Sequence, residues 1–116
     1  MTITIADQAE VRAVTTRPAA ELEAVVYGAV RRPCVAPGAN PEDWFPPEVR
    51  GNSPRTRERR EARARALCRF CPVGVECLEL AIRREGPARG YGIAGGTMPW
   101  QRQAIKASRG LAVRRG

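Results

Sequence analysis

The placement of four cysteines constrains this chain more than any other feature. Cys34 stands alone, and Cys68, Cys71 and Cys77 fall within ten positions of one another. Histidine is absent, so a metal site here is either all-thiolate or completed by oxygen ligands. Four thiolates can close a tetrahedron around zinc or take the corners of an iron–sulfur cluster. Zinc ribbons usually present two C-x-x-C knuckles, whereas this chain has one, Cys68 and Cys71. Cys77 follows after five residues, and Cys34 precedes Cys68 by a long segment. A cluster is larger than one ion and can draw ligands from more dispersed positions. The spacing therefore favours a cluster, with structural zinc in a nucleic-acid-binding or adaptor module as the alternative. Two disulfides in a redox-active protein form a third reading. A thioredoxin-type C-x-x-C sits near a βαβ pattern, and no such pattern is legible here.

Composition points the same way. The chain has 116 residues, 5% of them aromatic, with 11 Gly and 10 Pro. One small domain with tails fits that length, but large side chains to fill its core are scarce. A metal centre is a common supplement in such cases. The net charge of +8 favours polyanionic partners, nucleic acid above all. No segment approaches the roughly 20 apolar residues of a membrane span. Met1 to Glu10 contains acids and lacks the basic and apolar regions of a signal peptide. The expectation is a cytoplasmic protein with reduced thiols and no membrane partner.

Along the chain, residues 1–16 read as a flexible tail. A helix is expected from Pro18 to about Arg31, with Leu22, Val25, Val26 and Ala29 on its apolar face. Pro33 ends it and delivers Cys34. Residues 35–53, rich in Pro, Gly and Asn, read as loop, with Trp44-Phe45 either packed over the small core or anchoring a partner. Ser53-Pro54 starts a helix running to about Cys68. Six arginines there (Arg55, Arg57, Arg59, Arg60, Arg63, Arg65) face only Glu58 and Glu61. Glu61 and Arg65 have the spacing of an ion pair. Such a helix buries little, and its arginines are either simply solvated or in contact with nucleic acid. Cys71-Pro72 opens a further helix to about Glu85, with Val73, Cys77, Leu80 and Ala81 on one side. Its free N-terminal amides would favour thiolate charge. Gly86-Pro87 stops it, a glycine-rich turn spans Gly90 to Gly96, and a last helix runs from about Pro99 to Ser108. From Arg102 onward the chain is basic and has no acid.

The run Cys68-Arg69-Phe70-Cys71-Pro72-Val73-Gly74-Val75-Glu76-Cys77 resembles the signature of WhiB-like transcriptional regulators. That family has a lone upstream cysteine, then C-x-x-C-P-V and a further cysteine after five residues. Asp43-Trp44-Phe45-Pro46 resembles its aromatic-aromatic-proline element, and Gly92-Ile93-Ala94-Gly95-Gly96 its glycine-rich turn. The resemblance covers roughly Cys34 to Met98, together with the basic character of the C-terminal segment. It implies a mostly helical protein with a 4Fe–4S cluster on the four cysteines. It also implies binding to region 4 of the principal sigma factor of RNA polymerase, and promoter DNA contacts from the basic C-terminal segment. Reaction of the cluster with oxygen or nitric oxide would link redox state to transcription. After cluster loss the cysteines could form disulfides, and a disulfide reductase activity of the apo form is implied as an alternative. Ala94 stands where the family turn carries tryptophan, a sigma-factor contact that alanine cannot replace; Trp100 lies six residues on.

The expectation is thus an all-α fold of short helices around an iron–sulfur cluster ligated by four cysteines. It comprises a flexible tail (1–16), a WhiB-like domain (17–98) and a basic segment (99–116), with both termini disordered. Cys34, Cys68, Cys71 and Cys77 are the expected ligands, and Gly92, Gly95 and Gly96 shape the covering turn. Trp44, Phe45 and Trp100 are candidate partner contacts. Arg102, Lys106, Arg109, Arg114 and Arg115 are candidate DNA contacts. No conventional catalytic base is evident, and neither an enzyme nor a small-molecule substrate is expected.

Overall fold

The computed structural model describes residues 14–45 and 53–114, and the secondary structure within them is helical apart from one isolated β-bridge. Helix α1 (Ala19–Gly28) begins after Pro18, which is extended at φ −62° and ψ 146°. It stops three residues before the expected end, because Ala29 returns to extended backbone. Leu22 and Val26 are buried on its inner face. A 3₁₀ turn (Pro33–Val35) then carries Cys34.

A short helix, α2 (Pro41–Trp44), stands where a loop was expected. Its start has a local cause. The Asn40 side chain accepts the Glu42 N–H at 3.0 Å, Pro41 occupies the first turn, and Glu42 and Asp43 sit at the positive end of the dipole. The remaining loop positions Pro46, Pro47, Gly51 and Asn52 lie outside the described residues. Helix α3 (Pro54–Cys68) starts as expected, with the Ser53 hydroxyl accepting the Thr56 N–H at 3.1 Å. Its one buried residue is Ala64. The expected Glu61–Arg65 pair does not form; Arg65 instead donates Nε–H to the Gly96 carbonyl at 3.2 Å.

Helix α4 (Gly74–Glu85) begins three residues later than Cys71, which belongs to a turn closed by the Cys71 N–H on the Cys68 carbonyl at 3.1 Å. The first-turn position expected for Pro72 is therefore not realised. Leu78, Leu80 and Ile82 are buried along α4, as is Val73 just before it. Helix α5 (Pro99–Ser108) matches its expected span, and the Met98 N–H is capped by Gln101 Oε1 at 2.8 Å.

Helix α1 packs on α4, while α2 and the 3₁₀ turn pack on α3. This division produces two small apolar clusters. One holds Val14, Leu22, Val26, Val73 and Leu80; the other holds Trp44, Ala64 and Ile93. Val14, expected within a flexible tail, is thus part of the core. Arg83 fastens that segment, donating to the carbonyls of Val14, Thr15 and Arg17 while pairing with Glu79 at 3.1 Å. Residues 1–13 lie outside the described residues.

The C-terminal segment is likewise folded rather than free. Arg102 and Lys106 of α5 have no exposed surface. Both pair with Glu85 at the end of α4, at 2.8 and 2.9 Å. Arg109 pairs with the buried Glu79 at 2.7 Å. Beyond α5, the Arg114 N–H reaches the Pro87 carbonyl at 2.7 Å.

Candidate metal centre

Four elements along the chain deliver the four thiols. The 3₁₀ turn carries Cys34, α3 ends on Cys68, the following turn holds Cys71, and α4 brings Cys77 one turn in. Cys71 and Cys77 border the α1–α4 cluster, and Cys34 and Cys68 border the cluster around Trp44. The thiols therefore sit at the junction of two cores, neither of which closes over the other. All four are free and partly buried.

Electrostatics ties them together. Burial is the main cause that raises the Cys77 thiol above its ordinary range, and the charges of Cys68, Cys34 and Cys71 push the same way. Burial also raises Cys34, with Cys71 and Cys68 adding to the effect and Arg32 opposing it. Each of these thiols resists becoming an isolated anion beside the others. A bound cationic group would relieve both causes, since it compensates the lost solvation and the mutual repulsion. Among the described residues, no three Cys, Asp or Glu side chains are grouped so as to grip a single ion.

Two donors address the sulfurs. Trp44 Nε1–H points at Cys68 Sγ over 3.4 Å, and the Gly95 amide hydrogen-bonds to Cys77, favouring its thiolate. Trp44 is 3% exposed, so it serves the thiol site and does not meet the expectation of a partner contact. Phe45 is exposed and stacks on Tyr91 with ring centroids 6.3 Å apart. Trp100 is exposed on a groove of about 370 Å³ that it shares with Arg57, Arg89, Tyr91 and Met98.

The glycine turn owes its composition to its backbone angles and, at Gly95 and Gly92, to close contact with α4 and Phe45. Ala94 and Thr97 bridge across Gly95 and Gly96, both at positive φ (55° and 77°), the combination a tight mirror-image turn needs. A Cβ on Gly95 would lie 2.4 Å from the Gly74 carbonyl, whereas one on Gly96 would meet nothing nearer than 3.5 Å. Gly92 lies under the Phe45 ring, 2.4 Å from where its Cβ would be. Gly95→Ala is therefore expected to lower stability by about 3 kcal/mol or more and Gly96→Ala by only about 1 kcal/mol, as read by thermal melting. Equal effects would show that backbone conformation alone, not contact with α4, sets the requirement.

The expected DNA contacts need correction. Arg102 is consumed internally. It donates to Glu85, to the Thr97 carbonyl at 2.7 Å and to the Gly92 carbonyl at 2.8 Å. Lys106 donates to Glu85 and to the Ala88 carbonyl at 2.8 Å. Neither can reach a phosphate without unfolding α5, and Arg109 is held by Glu79. Arg114 is exposed; Arg115 lies outside the described residues. The run of cations without acids gave no sign of this, because their counter-charges, Glu79 and Glu85, lie on the preceding helix. The i, i+4 spacing of Arg102 and Lys106 was the available signal that both share one helix face.

A helical domain that gathers four free thiols where two small apolar clusters meet is, as a class, a cysteine-centred module. Residues 30–105 match the model of the family described as transcription factor WhiB, and the chain belongs to that family. The match includes all four cysteines, the glycine turn and Arg102. The family is one of transcription factors and not of enzymes, and it implies a role in transcription regulation involving DNA or the transcription machinery. No curated protein and no solved structure matches the chain. No helix among the described residues is long and apolar enough to cross a membrane.

Proposed function

We propose that this protein is a redox-responsive transcriptional regulator whose four thiols hold a 4Fe–4S cluster and which acts on promoter DNA together with the RNA polymerase sigma factor. The observation that carries this reading is the convergence of Cys34, Cys68, Cys71 and Cys77 at the junction of two small cores. The donor set is all sulfur, and it is gathered without closing on one ion. The sequence spacing, one C-x-x-C pair with Cys34 and Cys77 set apart from it, favours a multi-iron group over a zinc tetrahedron. When bound, the cluster supplies one-electron chemistry and reactivity toward oxygen or nitric oxide.

The chain's own residues do the rest. Trp44 and Gly95 direct N–H groups at the Cys68 and Cys77 sulfurs, which stabilises thiolate charge. The turn carrying Gly95 is tied to α5 by the Arg102 guanidinium on the Thr97 and Gly92 carbonyls. A change at the thiols is thereby transmitted to the C-terminal helix. Exposed Tyr91 stacks with Phe45 and shares a groove with Trp100, and these rings supply an apolar surface for region 4 of the sigma factor. Ala94 offers no ring there, so these three carry the apolar contact.

Anaerobic purification tests the reading. The expected result is roughly four iron and four sulfide per chain, with the sigma subunit co-purifying only from the loaded protein. One colourless zinc per chain would overturn the cluster assignment. A loaded protein that leaves the sigma subunit behind would overturn the partner assignment.

A further inference from the structure

The burial of Arg102 and Lys106 removes the obvious DNA contacts and leaves the basic surface elsewhere. Helix α3 supplies it. Arg60 lies near Glu42 and Asp43, at 3.7 and 4.0 Å, and Arg65 is engaged by Gly96. Arg55, Arg59 and Arg63 are exposed and have no acidic partner among the described residues. Spaced four apart, they climb one side of the helix away from the buried Ala64, with exposed Ala62 and Ala66 beside them. Small residues beside long cations leave the helix backbone open to close approach.

Among the described residues, no acid of the fold pairs with these charges. Like charges four residues apart oppose helix formation, and Arg55–Arg59 and Arg59–Arg63 are two such pairs. The first turn has no acid, so Arg55 also meets the positive end of the helix dipole. The helix tolerates this with one buried residue and a serine cap. Guanidinium groups placed against the helix's own stability, on a face turned to solvent, are complementary to a regularly spaced polyanion.

We propose that Arg55, Arg59 and Arg63 form a phosphate-contacting stripe through which α3 lies on the backbone of duplex DNA. The inference rests on the DNA-binding part of the proposed function and assigns its surface to α3 in place of the buried α5 cations. Phosphate contacts carry no sequence information, so the stripe fixes affinity and orientation on the duplex, not the choice of promoter.

The test uses the full chain with its thiol site loaded under anaerobic conditions and a random-sequence duplex, with affinity followed against salt. Each phosphate contact contributes about 0.9 to the slope of log K against log salt. The triple variant R55Q/R59Q/R63Q is expected to lose about 2 to 3 from that slope and on the order of a hundredfold in affinity near physiological salt. R55K/R59K/R63K is expected to keep the slope, because the positive charges remain. Far-UV circular dichroism and iron content should be unchanged in both, since these side chains are exposed. Wild-type slope and affinity in the glutamine variant would overturn the stripe while leaving DNA binding intact, and would point to an acidic protein surface as the occupant. Failure of the wild-type protein to bind duplex at low salt would overturn the DNA reading and the stripe with it.

Discussion

Glu85→Gln is expected to lower stability by about 3–5 kcal/mol, enough to threaten a domain whose net stability is about 5–15 kcal/mol. The reason is the arrangement around its carboxylate. Arg102 and Lys106 have no exposed surface, and both use Glu85 as their counter-charge, at 2.8 and 2.9 Å. Glutamine keeps the volume and one acceptor but leaves two cations buried without an anion. Truncating one partner of a buried pair costs more than the pair contributes, because the remaining charge is uncompensated. Lys106→Met is expected to cost much less, since Arg102 and Glu85 then balance one to one. In the double variant, removal of Lys106 should recover part of the Glu85→Gln loss. Thermal melting of the four proteins forms a cycle that isolates the interaction. If Glu85→Gln and Lys106→Met cost the same and simply add, the charge argument is wrong and the effect is one of packing.

Under the proposed cluster assignment, Cys68→Ser is expected to have the other large effect: loss of the cluster and of cooperative unfolding. Cys68 ends α3, accepts the Trp44 N–H and joins the Trp44 cluster. Structural metal binding supplies about 10 kcal/mol or more in small zinc peptides, comparable to the whole net stability of a domain. The two halves should respond unequally. The cluster of Trp44, Ala64 and Ile93 is small, and α3 adds little burial to it. The α1–α4 half has five buried apolar residues and the ties of Arg83 and Arg109 to Glu79. Amide hydrogen exchange in the variant should therefore show α2, α3 and the glycine turn opening first, with α1 and α4 retaining protection. A variant, or a chelated wild-type protein, that melts as one sharp transition within a few degrees of the loaded protein would show that the thiols do not organise this fold.

The sequence by itself determined the helices whose causes are local. Ser53-Pro54 fixed the start of α3, and Pro99 the start of α5. The close spacing of Cys68, Cys71 and Cys77 marked the thiol site, and paired glycines marked the turn at Gly95 and Gly96. The Asn40-Pro41-Glu42 start of α2 was equally local, but it was hidden among prolines that read as loop. Only the tertiary structure decided what each cation does. Arg55 and Arg102 are the same residue type in similarly basic helices, yet one is exposed and the other has no exposed surface. The difference lies in Glu85, seventeen residues before Arg102, and in the carbonyls of Gly92 and Thr97 that the turn presents. Periodicity reports which residues share a face. Burial and charge pairing depend on what the fold places opposite that face.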